Sequence, residues 1–122
     1  MPGPDIHERY LELLRKSGEA EEHGAGEVIF AEGERGEVMY LVTAGTVALE
    51  TDGRVLELVG PGALFGEMAL IDGEPRSATA RVESDCELIA IGRRRFWFLV
   101  QETPYFAEIV MRVMAERLRR ET

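Results

Sequence analysis

The sequence predicts a mainly β domain, a sandwich, barrel or jelly roll, with helices at both ends. Three observations carry this. From Gly24 onward the apolar residues fall in short, partly alternating runs that include Val28, Phe30, Met39, Leu41, Val47, Leu49, Val55, Leu56 and Leu58, and alternation with period two marks a half-buried strand. Glycines at 33, 36, 45, 53, 60 and 62 punctuate those runs, and closely spaced turn signals belong to all-β architectures. Before and after this stretch the apolar spacing becomes helical. At 122 residues the chain is expected to form one domain around a single core. It divides into a helical N-terminal segment (1–22), a β body (24–92) and C-terminal helices (93–122).

In order, residues 1–4 form a short flexible lead with prolines around a glycine. Residues 5–16 read as an amphipathic helix, because Ile6, Tyr10, Leu13 and Leu14 share one face, Asp5 can cap it and Gly18 stops it. That face is expected to pack on the outside of the β body. Gly45 reads as a turn between two strands within 37–49, and Thr51-Asp52-Gly53-Arg54 as a tight hairpin with Asp-Gly at its centre. Two further strand-like pieces follow at 80–82 and 87–91. The run Arg93-Arg94-Arg95 reads as solvated or placed near a helix end. A short helix is expected over 96–101. Thr103-Pro104 restarts helix, with proline at the first helical position. Residues 105–120 are then a long amphipathic helix carrying Phe106, Ile109, Val110, Val113, Met114 and Leu118, with a basic end that suits a helix C-terminus.

Composition narrows the function. A net charge of −9 argues against a nucleic-acid-binding face, which needs a basic patch to neutralise phosphates. A single cysteine, Cys86, excludes an internal disulfide and a thiolate metal site, and cytoplasmic residence is expected. No apolar run reaches membrane-spanning length, and the N-terminus lacks the basic start and apolar stretch of a signal peptide. His7 and His23 lie far apart, so neither a histidine-rich metal site nor a histidine-activated nucleophile is expected, and no enzyme activity is predicted.

The chemistry concentrates in 65–80, FGEMALIDGEPRSATA. Gly66 lets the backbone approach a ligand closely. A helical turn starting after it would point free N–H groups at an anion. Arg76 adds a planar fork of donors that matches a phosphate, and Glu67 is an acceptor for a sugar hydroxyl. Together these groups can hold a sugar phosphate.

The same segment resembles the phosphate-binding cassette of the cyclic nucleotide-binding domain family, found in catabolite-activator-type regulators, protein kinase A regulatory subunits and cyclic-nucleotide-gated channels. Phe65, Gly66, Glu67, Met68, Ala69 and Leu70 fit its first half, and Arg76, Ser77, Ala78, Thr79 and Ala80 its second. The resemblance implies a β-roll (a double-stranded β-helix jelly roll) with a short N-terminal helix and C-terminal helices. It implies that Phe65, Gly66, Glu67, Met68, Ala69, Arg76, Ser77 and Ala78 bind the ligand. Glu67 would take the ribose 2′-hydroxyl, and Arg76 the cyclic phosphate with help from Ser77 and backbone N–H groups. Ser77 resembles the cAMP-type bacterial regulators, so cAMP is expected ahead of cGMP. By the family's spacing, the base-capping positions fall at Glu121 and Thr122, with Thr122 the candidate cap. No DNA-binding domain, channel or enzyme domain is expected to accompany the cassette. The output is therefore expected in trans, through an effector protein or a homodimer formed by the C-terminal helix, with the joint over 96–103 moving. The rival expectation is a β-roll protein-interaction scaffold that binds no nucleotide.

Overall fold

A computed structural model of the chain describes residues 6–121, with the side chain of residue 121 excepted. Helix α1 (Ile6–Arg15) precedes strands β1 (Glu19–His23), β2 (Val28–Phe30), β3 (Val38–Thr51), β4 (Arg54–Val59) and β5 (Leu64–Phe65). Helix α2 (Glu67–Asp72), strand β6 (Thr79–Gly92), and helices α3 (Arg93–Glu102) and α4 (Pro104–Glu121) complete the chain. All strand pairs are antiparallel, in the order β1-β6-β3-β4, with β2 also on β6 and β5 also on β3. The expected β-roll with flanking helices is what the chain forms.

The roll is organised by two long strands, β3 and β6, of 14 residues each. The sequence suggested several shorter pieces in their place, for a specific reason. Along β3 the inward positions run Tyr40 and Val42, then Val47 and Leu49. Parity switches between them because the register against β6 shifts between Val42 and Val47. A bulge of this kind inserts a residue and breaks the alternation. Gly45 sits at this bulge inside β3, with φ of 80°. It was expected to form a turn. A Cβ there would collide with the Asp85 carbonyl across the ladder. Asp52 (φ 51°) and Gly53 (φ 75°) do form the tight hairpin turn between β3 and β4, with Thr51 paired to Arg54.

Strand β1 was not foreseen. Its sequence, EAEEH, has no apolar alternation, so nothing local marks it. It is held by pairing with the far end of β6, from Glu19 opposite Ala90 to His23 opposite Cys86. The strand body therefore begins at Glu19, ahead of Gly24. Asp5, the expected α1 cap, lies outside the described residues.

The two faces of the sheet bury different sets. One packs Phe30, Val42, Val47, Leu49, Val59, Phe65, Val82, Cys86 and Leu88 inside the roll. The other packs Met39, Leu41, Ile89 and Ile91 against Tyr10 and Leu14 of α1, Phe96 and Leu99 of α3, and Phe106 and Val110 of α4. The helices thus rest on the outer surface of the roll, as the spacing on α1 and α4 predicts. Among the described residues no helix is long and apolar enough to cross a membrane.

Candidate functional site

The site is built where β5 ends and α2 begins. Gly66 caps α2 in the left-handed region, with φ of 85°. Only a residue without a Cβ adopts this cheaply, and the turn aims the Gly66 carbonyl at Arg76. Arg76 is 6% exposed. Its Nη1 donates to the Gly66 carbonyl at 2.7 Å and its Nη2 to the Val38 carbonyl at 2.6 Å. The guanidinium carbon lies 3.9 Å from the centroid of the Phe30 ring, a stacked cation–π arrangement. Nε has no partner. Among the described residues no carboxylate lies within ion-pair distance of this guanidinium.

A buried cation without a counter-ion is costly unless something else supplies negative charge. Burial pushes the Arg76 pKa down, and the surrounding charges of Tyr40, Glu67, Glu34 and Glu37 oppose that only in part. The backbone of Arg76 is pinned as well, because Arg76 N donates to the Glu34 carbonyl and Gly33 N to the Arg76 carbonyl. Gly36 makes this packing attainable. A Cβ there would lie 2.5 Å from the guanidinium carbon and 2.7 Å from Cβ of Ala69.

Glu67, 1% exposed, starts α2. It accepts from the Met68 N–H at 3.2 Å and from Nη1 of Arg117 on α4. Burial pushes its carboxyl up, and the Arg117 charge reverses this only in part. Arg117 also donates through Nε to Glu57 on β4 at 3.0 Å, and through Nη2 to the Leu64 carbonyl at 2.9 Å. Arg120 joins Glu57 at 2.8 Å. Burial alone would raise the Glu57 carboxyl, but the hydrogen bonds and charges of Arg117 and Arg120 outweigh it and hold it low.

Two adjoining cavities open here. The inner one, about 50 Å³, is lined by Gly66, Glu67, Met68, Ala69, Arg76, Ser77 and Ala78, with Phe30, Leu49 and Arg117. The outer one, about 160 Å³, is lined by Leu49, Leu56, Glu57, Met68, Ser77, Ala78, Arg117 and Arg120. Arg117 stands in the wall common to both. Seven of the residues expected to bind ligand therefore border one cavity, and Arg76 and Glu67 share it.

Phe65 is the exception and corrects the expectation. It is fully buried in the roll, stacked on Tyr40 at 5.1 Å and tilted against Phe30 at 5.9 Å. Pairing of β5 with β3 sets Phe65 opposite Tyr40, and its side chain joins the roll core rather than the cavity. Thr122, the candidate base cap, lies outside the described residues. Arg117, Glu57, Arg120 and Phe30 were not foreseen. Arg117 and Arg120 read in the sequence as a basic helix end, and nothing local ties either to a glutamate about 60 positions away.

The Glu57 arrangement sets a pH dependence. Its folded pKa lies below the ordinary glutamate value of about 4.3. The stabilisation is therefore present above that value and lost as pH falls through the depressed folded one. Thermal melts should show Glu57→Gln less stable than the parent at pH 7, with the gap closing toward pH 3. A gap that stayed constant with pH would mean that the pairing contributes nothing.

Fold and site together define a β-roll binding module with a buried cation in its concave wall and an α-helix laid across the opening. The cyclic nucleotide-binding domain matches residues 20–103, and the chain belongs to that family. It is 40% identical over 99 residues to the cyclic AMP receptor protein of Thermus thermophilus, covering 77% of this chain and 46% of that protein. It is 45% identical over 93 residues to a cyclic nucleotide-gated potassium channel of Mesorhizobium japonicum, covering 76% of this chain and 26% of the channel. The solved structure of Thermus thermophilus catabolite activator protein is similar with a TM-score of 0.80 and 36% identity, over 91% of this chain and 55% of that one. The chain thus spans about half or less of the length of these relatives.

Proposed function

We propose that this domain is a regulatory module that binds a 3′,5′-cyclic nucleotide and reports it through α4. One observation carries the reading: a buried guanidinium with, among the described residues, an unpartnered Nε–H and no counter-ion borders the cavity that Glu67 also lines. A cyclic phosphate is a monoanion, and its charge and acceptor oxygens would complete Arg76. Gly66, Met68, Ala69, Ser77 and Ala78 surround that phosphate, with the Ser77 hydroxyl as an added donor. Glu67 accepts from the ribose 2′-hydroxyl, and the base extends into the outer cavity. Ser77 and the names of the relatives lean toward adenine, while the phosphate and ribose contacts are common to both purines.

The cavities as they stand are smaller than ordinary ligand pockets of about 300–1,000 Å³. Arg117, which occupies Glu67 and separates them, must withdraw for a nucleotide to seat. The ligand then competes with α4 for Glu67, and its different affinity for the two placements of α4 provides the signal. Met111 and Leu118 on α4 are 63% and 51% exposed. With Met114 between them they form a seam at heptad spacing, suited to the same helix of a second copy, so that the output reaches an effector through a homodimer. The domain catalyses nothing in this scheme.

Calorimetric titration of the purified chain with cAMP and cGMP tests it. Saturable binding in the micromolar range or tighter is expected. Titrations flat with both would remove the sensor reading and favour a scaffold that has kept only the shape of the cassette.

A further inference from the structure

Helix α3 opens with three arginines, and no acidic residue stands in its first turn. The positive end of a helix dipole disfavours cations there. The N-cap, Gly92, adds no side-chain bond to offset this. Arg93 recovers the loss, because its Nε donates to Glu37 at 3.1 Å and its Nη1 to the Leu70 carbonyl of α2 at 3.1 Å. Arg94 and Arg95 do not. Both are exposed, and among the described residues neither has a carboxylate within ion-pair distance. The Arg95 guanidinium lies 4.9 Å from the centroid of the Phe98 ring. Trp97 and Phe98, 39% and 49% exposed, extend the same outward surface, since residues three and four apart are neighbours on a helix. The inward positions are taken by Phe96 and Leu99. Glu102 ends the helix, about two turns from this pair of arginines. Neither local helix stability nor the core explains two unpaired cations beside two exposed aromatic rings.

We propose that Arg94, Arg95, Trp97 and Phe98 form a docking surface for an acidic segment of a partner protein. Charge complementarity selects the occupant. Guanidinium forks pair with carboxylates, and the helix end beneath them favours the same sign of charge. Trp97 and Phe98 supply apolar area next to those cations, and aromatic residues with arginine are the usual anchors of protein interfaces. An extended anionic surface fits less well. The chain carries a net charge of −9, so a lipid bilayer would meet its acidic remainder as well as this patch. A short segment lies within about 8 Å of the arginines, inside the range where salt leaves their attraction unscreened. The surface stands independently of the nucleotide reading, because none of its four residues lines either cavity of the site. Arg93 nevertheless ties the start of this helix to α2, so a docked partner sits one residue from the cassette's own bonds.

The test titrates the whole chain with a short peptide in which glutamates alternate with leucine and phenylalanine. Trp97 is the one tryptophan, so its emission reports contact at the patch itself, with calorimetry as a second readout. A saturable blue shift is expected, weakening as NaCl rises from about 50 to about 300 mM. The net charge of the chain opposes an acidic peptide, so non-specific attraction cannot produce this result. The double variant Arg94→Glu/Arg95→Glu should weaken binding by about tenfold or more. It should fold as well as the parent, because glutamates suit a helix N-terminus. Titrations flat to about 1 mM peptide, or binding unchanged in the double variant, would overturn the proposal. Vesicles of phosphatidylcholine and phosphatidylserine that shifted Trp97 where the peptide did not would overturn it in favour of a lipid surface. Self-association of the chain that the double variant abolished would overturn it in favour of a second copy.

Discussion

Arg76→Met is expected to weaken cyclic-nucleotide binding by about a hundredfold or more while leaving the fold close to intact. The two effects separate because they have different origins. Truncating one partner of a buried, hydrogen-bonded charge pair costs about 2–5 kcal/mol of binding, and Arg76 is the only buried cation among the described residues. The folded chain loses less. It forfeits the bonds to the Gly66 and Val38 carbonyls, but it also sheds a desolvated charge that has no counter-ion among the described residues. Methionine fills much of the space against Phe30 and restores dispersion contact with the ring. Arg76→Lys should fall between, since it keeps the charge and loses the planar fork. Calorimetry beside thermal melts would measure both quantities. A methionine variant that bound nucleotide as well as the parent would sink the phosphate assignment.

Phe106→Ala is expected to cost about 3–5 kcal/mol of folding stability, the usual range for emptying a large buried aromatic site. Phe106 is fully buried where three helices meet the outer face of the sheet. It stands edge-on to Phe96 of α3 at 5.7 Å and tilted against Tyr10 of α1 at 6.3 Å. Its neighbours cannot collapse into the gap without moving α4, whose docking places Arg117 on Glu67. The one tryptophan, Trp97, packs edge-on to Phe96 at 5.0 Å, so its fluorescence follows this joint during denaturant unfolding. A loss below about 1 kcal/mol would show that α4 is held by something other than this aromatic contact.

The parts of the fold that could be read in advance were those whose cause is local. The α1 and α4 faces follow from helical spacing, the restart at Pro104 from a missing N–H, and the β3–β4 turn from Asp52 and Gly53 adopting positive φ. What stayed hidden has a non-local cause. Strand β1 exists because β6 supplies a ladder for it, and Gly45 lies within β3 because a bulge there absorbs a register shift. The cassette was legible because Gly66, Glu67, Arg76 and Ser77 fall within one short stretch. Phe65 belongs to that stretch but faces the other way, since β5 sets it opposite Tyr40.

By itself the sequence determined the architecture, the family and the segment proposed to carry the chemistry, because apolar period, turn residues and the spacing of the cassette are written along the chain. Only the tertiary structure decided the state of that chemistry. It left Arg76 buried without a counter-ion among the described residues, gave Glu67 to Arg117, and set Glu57 and Arg120 in the lining of the outer cavity. The reason is distance along the chain. Arg117 and Glu67 stand 50 residues apart, and only the packing of α4 across the roll brings them together.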